Sequence, residues 1–494
     1  MSISDSVSAR AQTGAASRAP APPGLILAFL SIAGFMTFLD VSIVNVALPS
    51  IERSLSINES QLQYIVTAYG TVLGGFLLLG GRIADHWGRR RALQTGLLLF
   101  AAASLMAGCS VTTPMLIAAR ALQGLGSAFI APAALSLLTN TFQEGPARAK
   151  ALGVWGGVSG IASVAGVVLG GVLADGPGWR WIFFINVPIG VGAALLAPAI
   201  VPESRGGRRR EAFDTTGAVV LTAGLLLLIY TLGQTVNAGW TSARVLTGLP
   251  LAAVLLVGFV LIEQRTAAPL IPLRIFRLPV LRAANMTAVL MMATLVTLFF
   301  FASLFMQQVL DYSPIRTGLA YIPLALVVSV GAGVSTKLVT AVPAKAVLIA
   351  GLVLSAVGLL LLARLPVHAS YPVDLLPPFL ICGIGMGLAF VPLQIAAFTG
   401  VDEANSGLAA GLINTSQEGG GALGVAIAAT IVFARIPGLT AWANGDPDRI
   451  NQGRAIVFHE AFVVAACFAV AAVLIAMLLP AMRPAERPGN LPMA

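Results

Sequence analysis

The sequence predicts an all-α membrane protein, and three observations carry that prediction. Of its 494 residues, 57% are hydrophobic and only 10% are charged, with a mean hydropathy of +0.90. A water-facing surface needs about 25% charged residues, so this inventory excludes a soluble domain. The apolar residues also fall into long runs, each near the roughly 20 residues that a spanning helix needs. Finally, the basic residues lie between those runs and mostly on alternate connections, so a net charge of +9 marks topology, not nucleic-acid binding.

Fourteen spans are predicted, near 24–48, 61–81, 92–110, 114–138, 149–173, 181–201, 215–234, 244–263, 280–307, 317–339, 345–364, 373–398, 406–433 and 456–479. With a cytoplasmic amino terminus, 20 of the 29 Lys and Arg fall on the inside and eight on the outside, Arg120 lying within a span. That bias places both termini in the cytoplasm of a multi-pass cell-membrane protein. The Ala-, Ser- and Pro-rich segment 1–23 lacks a signal-peptide pattern and is expected to be a disordered cytoplasmic tail, as is 480–494. Cys109, Cys382 and Cys467 sit far apart in apolar runs without metal-ligand spacing, so no metal is expected.

Three ionisable groups fall well inside spans: Asp40, Arg120 and Glu418. An aspartate at the centre of a spanning helix costs about 2.5–3.5 kcal/mol, so it is rarely kept for packing alone. Asp40 lies nine residues before Pro49, about 13 Å from the outer end, and Arg120 lies six residues after Pro114, about 9 Å from the same side. A pairing, direct or through water or Gln123, is therefore allowed. A buried carboxylate favours its neutral form and a nearby arginine opposes this, so such a group can switch its proton with conformation. The competing role for Asp40 is a hydrogen bond that joins helices. Glu418 fits a second protonation site, a counter-ion for cationic substrates, or a hydrated acid facing a cavity. The amides Asn45, Asn186, Gln307, Gln308, Gln394 and Asn414, with Gln123, are candidates for a polar lining of a substrate cavity. The stretch from Phe299 to Gln308 mixes aromatics, a methionine and two amides, which suits either adaptable binding or plain packing.

The connection after the second span reads GRIADHWGRRRAL, from Gly81 to Leu93. Gly81 and Gly88 permit a tight turn, Asp85 can cap a helix start, and Arg89–Arg91 hold the loop inside. Its spacing resembles the signature loop of the major facilitator superfamily. Five further stretches resemble that superfamily's fourteen-spanner drug:proton antiporters, in matching order: LDVSIVNVALP ending at Pro49, RALQGLGSA from Arg120, WRWIFFINVPIG from Trp179, YSPIRTGLAYIP from Tyr312, and NSGLAAGLINTSQEGGGALGVA from Asn405. The resemblance covers all but the tails.

It implies two six-helix bundles, at 24–201 and 280–479, with two extra spans and their connections at 202–279 between them; the near absence of charge in those two spans favours packing against lipid over lining the path. It implies a latch at Gly81, Asp85, Gly88, Arg89 and Arg90, and proton coupling at Asp40 and Arg120, to which Glu418 is added as this chain's own feature. The implied activity is proton-coupled export of hydrophobic or cationic drugs and related amphiphiles. The alternative is a dedicated exporter of one endogenous metabolite, such as an antibiotic, siderophore or lipid. A membrane-embedded enzyme or sensor is a remote third class, since the chain has no P-loop, no HExxH and no nucleophile elbow. The expected partners are protons, a small hydrophobic molecule and lipid, not nucleic acid, with a monomer as the working unit and the proton gradient in place of any cofactor.

Two departures stand out. The glycine ladder of the fifth span appears as Gly153, Ala162, Gly166, Val167, Gly170 and Gly171, with Val167 where the antiporters carry proline. Close helix packing is expected at its glycines, and a kink is not. The second-half counterpart of the signature loop, TKLVTAVPAKAV from Thr336, keeps Lys337 and Lys345 but lacks the acid and the glycine.

Overall fold

A computed structural model describes residues 21–55, 59–204, 214–266, 269–402, 405–433 and 447–480. The expected tails fall outside them, save for 21–23 and 480. In lipid every backbone polar group needs a partner within the segment, and the chain meets that demand with long helices. The first six are α1 (Pro23–Leu55), α2 (Glu59–Trp87), α3 (Arg89–Gly108), α4 (Thr113–Thr141), α5 (Pro146–Leu173) and α6 (Asn186–Ile200), the last preceded by a short helix at Trp181–Phe184. The extra pair is α7 (Thr215–Ala238) and α8 (Ala243–Arg265). The second half holds α9 (Pro279–Gln308), α10 (Ile322–Leu338, after a short helix at Pro314–Ala320), α11 (Ala344–Leu362), α12 (Leu376–Phe398), α13 (Ser406–Phe433) and α14 (Pro447–Met477). Among the described residues, 13 helices are long and apolar enough to cross a membrane. The remaining predicted span forms α13, 28 residues long, whose polar run from Asn414 to Glu418 lowers its hydropathy.

Helix ends are closed by local chemistry. Thr112, Asp214, Ser242 and Ser313 each accept a hydrogen bond from the backbone N–H three residues on, satisfying one of the free donors of a first turn. At α14 the last carbonyls are met by a side chain: Lys345 Nζ donates to the carbonyls of Met477 (2.6 Å) and Leu479 (2.7 Å).

Both halves pack their helices in the same pairs. In the first, α1 lies on α5, α2 on α4, and α3 on α4 and α6; in the second, α9 lies on α13, α10 on α12, and α11 on α12 and α14. The halves meet along α2–α13 and α5–α10, which a two-fold axis would exchange. Small residues set these distances. A Cβ on Gly166 would stand 2.5 Å from Ser42 Cβ of α1, and one on Gly170 would stand 3.0 Å from the Ile43 carbonyl oxygen. Gly153 and Gly160 lie instead on the seam between halves, against Thr336 and against the Ala325 carbonyl (2.7 Å) of α10. Gly171 faces open space, with nothing within 4 Å of such a Cβ. The helix α5 continues through Val167 without a break.

Two placements differ from expectation. Gly81 is not in a turn: α2 runs on to Trp87, and the chain reverses only at Gly88, whose φ of 122° suits glycine alone. Nor does the extra pair sit against lipid alone. The α7 helix packs along α2 and α13, with Ile229 against Gly74 and Leu226 against Gly75, while α8 covers its outer side and exposes Leu246, Val254 and Val257. A nearly charge-free helix suits lipid and protein neighbours equally, so its composition could not distinguish them.

Candidate functional site

Asp40 of α1 has no exposed surface, and Arg120 of α4 keeps only 2% of its own. Arg120 Nη1 donates to Asp40 Oδ2 in a buried ion pair. Taking two charges out of water costs several kcal/mol each, repaid only where further hydrogen bonds satisfy the pair, and here Asp40 and the Nε and Nη1 of Arg120 are met in this way. Asp40 Oδ1 accepts from Gln123 Nε2 and Asn186 Nδ2, both at 3.1 Å. Arg120 Nη1 also donates to Gln123 Oε1 (2.8 Å), and Arg120 Nε donates to the Ile65 carbonyl (3.2 Å). Gln123 Nε2 reaches Ser104 Oγ at 2.8 Å. The guanidinium lies over the ring of Tyr69, 4.5 Å from its centroid, and the Tyr69 hydroxyl donates to Ser127 Oγ at 2.9 Å.

Helical spacing explains this convergence. Arg120 and Gln123 are three apart and share one face of α4, and Ile65 and Tyr69 are four apart on the facing side of α2. Gly124 lets α2 approach: a Cβ there would stand 3.1 Å from the Leu73 backbone nitrogen. Asn186 opens α6 from the short helix before it and turns its amide inward; its Oδ1 is buried without a partner.

A second charged centre lies at the face that the charge bias assigns to the cytoplasm. Arg89, fully buried, donates through Nε (3.0 Å) and Nη2 (2.8 Å) to Asp85 Oδ1. Asp85 then crosses to the other half, accepting from the backbone N–H groups of Gly407 (3.0 Å) and Leu408 (2.9 Å) at the start of α13. The carboxylate thus caps a helix in the opposite bundle, where the dipole favours a negative charge. Gly81 permits the contact, since a Cβ there would meet the Gly407 backbone and stand 3.3 Å from Gly411 Cα. Around it, Ser136 and Ser406 hydroxyls lie 2.6 Å apart, and Asn140 Nδ2 donates to Ser406 Oγ (3.2 Å). Arg90 is held by Glu203 (3.6 Å) and by the Val201 carbonyl (3.3 Å). At mid-depth Ser329 Oγ donates to the Gly157 carbonyl (3.0 Å), so contacts between halves run inward from the Asp85 face.

The remaining candidates divide. Gln123 and Asn186 belong to the Asp40 cluster and do not line an open cavity. Gln394 Oε1 and Asn414 Nδ2 are buried without partners in the second half, as are the hydroxyls of Thr287, Thr297 and Thr415. Glu418 stands one helical turn from Asn414, its Cβ beside Gly74 of α2, and makes no hydrogen bond among the described residues. Gln307 Nε2 donates to Ser303 Oγ (2.9 Å) and Gln308 is exposed, both at the far end of α9. Asn45 is exposed, one turn and a little more beyond Asp40. Sequence reasoning missed Tyr69, Ser104, Ser127, Glu203 and Ser406. A lone Tyr or Ser in an apolar run carries no signal of its own, and only Glu203, an acid just after a span near Arg90 and Arg91, offered one.

Comparison with known proteins places this geometry. The profile of the Major Facilitator Superfamily matches residues 30–425. The puromycin resistance protein pur8 of Streptomyces alboniger is 34% identical over 452 residues, covering 91% of this chain and 89% of that one. The cephamycin export protein CmcT of Amycolatopsis lactamdurans is 37% identical over 472 residues, 94% of each chain. The multidrug resistance protein Stp of Mycobacterium tuberculosis is 33% identical over 407 residues, covering 81% of this chain and 74% of its own. Among solved structures, the human organic anion transporter MFSD10 (TETRAN) aligns with a TM-score of 0.67 at 14% identity, covering 92% of this chain and 99% of that one. The proton:xylose symporter XylE aligns at 0.64 and 15% identity, covering 94% and 97%; both likenesses concern the fold alone. With its motifs in order, its paired helices and its relatives matched over most of their length, this multi-pass membrane protein belongs to the Major Facilitator Superfamily.

Proposed function

We propose that this chain is a proton-coupled exporter of hydrophobic or cationic small molecules, with Asp40 as the group that takes and releases the coupling proton. The observation that carries the reading is the fully buried Asp40–Arg120 pair. A carboxylate held by one arginine and two amides changes the charge of its surroundings when it is protonated, and every one of these partners lies in the first half. Proton binding and substrate binding then favour opposite states, so that inward proton flow drives outward substrate flow.

The latch residues Gly81, Asp85, Gly88, Arg89 and Arg90 supply the mechanical part, holding the cytoplasmic side closed in the arrangement described. The halves at 24–201 and 280–479 rock about the site, with 202–279 between them, both termini in the cytoplasm, and a monomer as the working unit. Substrate contacts are assigned to Gln394, Asn414 and Glu418, whose side chains make no hydrogen bond among the described residues. Relatives named for puromycin resistance, cephamycin export and multidrug resistance support export of bulky antibiotics or similar amphiphiles. A dedicated exporter of one such compound is the second reading, favoured by the relatives named for single compounds. Inverted membrane vesicles carrying the full chain decide: energised uptake of a dye such as ethidium, or of puromycin, is expected to collapse with a protonophore and with Asp40→Asn. Uptake that survives both overturns the proposal, and uptake of one compound from a chemically mixed panel selects the second reading.

A further inference from the structure

The extra pair of helices sits across the line along which the halves part. The α7 helix packs on α2 of the first half and on α13 of the second, and the two contacts are built differently. Against α2 it is interlocked. Leu226 and Ile229, three apart on one face of α7, enter the notches left by Gly74 and Gly75. A Cβ on Gly74 would stand 2.5 Å from Ile229 Cδ1, and one on Gly75 would stand 2.5 Å from Leu226 Cγ and 3.3 Å from its Cα. The glycines of α13 are turned elsewhere: Gly407 and Gly411 meet α2, and Gly420, Gly421 and Gly424 meet α9.

Polar bonds add to the α2 side. Arg82, near the end of α2, donates from Nη2 to the Pro269 carbonyl (3.2 Å), in the connection that leaves α8. Buried Glu263 of α8 accepts from the Ile271 N–H of that connection (2.6 Å). The α8 helix is locked onto α7 in turn. A Cβ on Gly224 would stand 2.9 Å from Leu256 Cδ2, and one on Gly248 would stand 2.5 Å from Thr231 Oγ1. Toward α13, Leu221 and Leu225 of α7 share an apolar cluster with Leu408 and Leu412. Trp240 Nε1, just beyond the outer end of α7, donates to Thr430 Oγ1. That bond lies at the end of α13 away from Asp85, so α13 can turn about it while the Asp85 face opens.

We propose that α7 and α8 are carried by the first half, as a cover beneath which α13 slides when the halves part. This rests on the rocking of the halves proposed above, and on neither the proton nor the substrate. The argument is which contact yields. The α7 helix touches both α2 and α13, so parting them forces it to leave one. Side chains seated in the notches of a close-packed surface cannot shift without leaving them, whereas an apolar contact without notches has no directional bond to break. The α13 contact is therefore the one that moves, by the small shear that packed helices allow. The cover also has a chemical use. The same Cβ on Gly74 would stand 3.4 Å from Glu418 Cβ, so Ile229 lies over the place where this acid of α13 meets α2. An acid exposed to hydrocarbon is costly, and a cover that stays on α2 keeps lipid out of the gap that opens beside it.

The test reads distances and needs no substrate. Nitroxide labels are attached in pairs, through introduced azide side chains, at exposed Val219 of α7, Trp87 of α2 and Asp402 just before α13. In full-length protein in lipid carrying Asp85→Asn or Gly407→Ala, the distance from Trp87 to Asp402 reports how far the halves open. The distance from Val219 to Asp402 is expected to lengthen by the same amount, with that from Val219 to Trp87 held at its wild-type value. A cysteine bridge supplies the second measurement. Positions 75 and 226 lie within disulfide reach, and the exposed native Cys109 and Cys467 are replaced by serine. Oxidising Gly75→Cys with Leu226→Cys ties α7 to α2. The bridge is expected to leave the opening undiminished, the reduced form of the same protein serving as control. A distance from Val219 to Trp87 that lengthens in step with the opening overturns the proposal, and so does a bridge that holds the halves at their closed distance. Vesicle uptake indifferent to Asp40→Asn strikes the proton reading instead and leaves these distances to decide alone.

Discussion

Among the described residues, two buried Asp–Arg pairs have surroundings that differ in one respect. Asp40 takes all its hydrogen bonds from side chains of its own half, on α4 and α6. Asp85 takes two of its bonds from the backbone of α13, in the other half. Asp40 can therefore change its charge while the halves stay together, whereas the bonds of Asp85 cannot all be kept if the halves separate at that face. A charge satisfied within one rigid body suits chemistry, and a charge satisfied between two bodies suits a latch. On the proposed reading, the same residue types serve different ends according to which body supplies the partner.

The largest effect expected from breaking this contrast is at Arg120. Arg120→Ala leaves Asp40 buried without a counter-ion, a change that costs about 3–5 kcal/mol in stability. Arg120→Ala with Asp40→Asn removes the orphaned charge and is expected to recover most of the loss. Thermal melting of the four proteins in one lipid measures this. If the double variant melts no higher than Arg120→Ala, the pair is not the source of the cost.

At the second centre the same kind of change should act on conformation more than on stability. Asp85→Asn weakens four charge-assisted hydrogen bonds, each worth about 1.5–3 kcal/mol, and only the two to α13 are lost when the face opens. Spin labels on the Asp85-side ends of α2 and α13 are expected to show a longer distance population in the variant. Gly407→Ala keeps every charge but sets a Cβ 2.6 Å from Asp85 Oδ1, so it should produce the same population by geometry alone. The contrast sharpens if Asp40→Asn leaves that distance distribution nearer to wild type than either change does. An equal shift in all three would erase it.

How much of this could be read from the sequence follows the same division. The spans were legible because each is a continuous apolar run, and the shared depth of Asp40 and Arg120 followed from counting residues to the ends of their helices. The pairing itself also needs α1 and α4 to be neighbours, which counting residues along the chain does not show. Partners across the seam were not legible. Asp85 was read as able to cap a helix start, but which helix was not legible: it caps α13, more than 300 residues later, because Gly81 and Gly407 allow the two backbones to touch. The seat of α7 was hidden for another reason: Ile229 and Leu226 would suit lipid as well as they suit Gly74 and Gly75. Tyr69 was passed over because no local pattern marks a tyrosine that will face an arginine.

The smallest expected effect tests whether the latch is one carboxylate or a surface. Ser406 is buried where α13 begins, bonded to Ser136 and Asn140 of α4. Its hydroxyl ties the same two bodies as Asp85 but carries no charge, and one neutral hydrogen bond contributes about 0.5–1.5 kcal/mol. Ser406→Ala removes it without adding bulk and leaves Gly407 and Leu408 free to bond Asp85. If the carboxylate holds the face, the label distances should shift only slightly, less than in Asp85→Asn, and Asp85→Asn combined with Ser406→Ala should open the face by the sum of the two. A shift in Ser406→Ala as large as that in Asp85→Asn would mean that the seal is cooperative across the whole α4–α13 contact. The comparison would then be between a pair of charges and an interface, not between two pairs of charges.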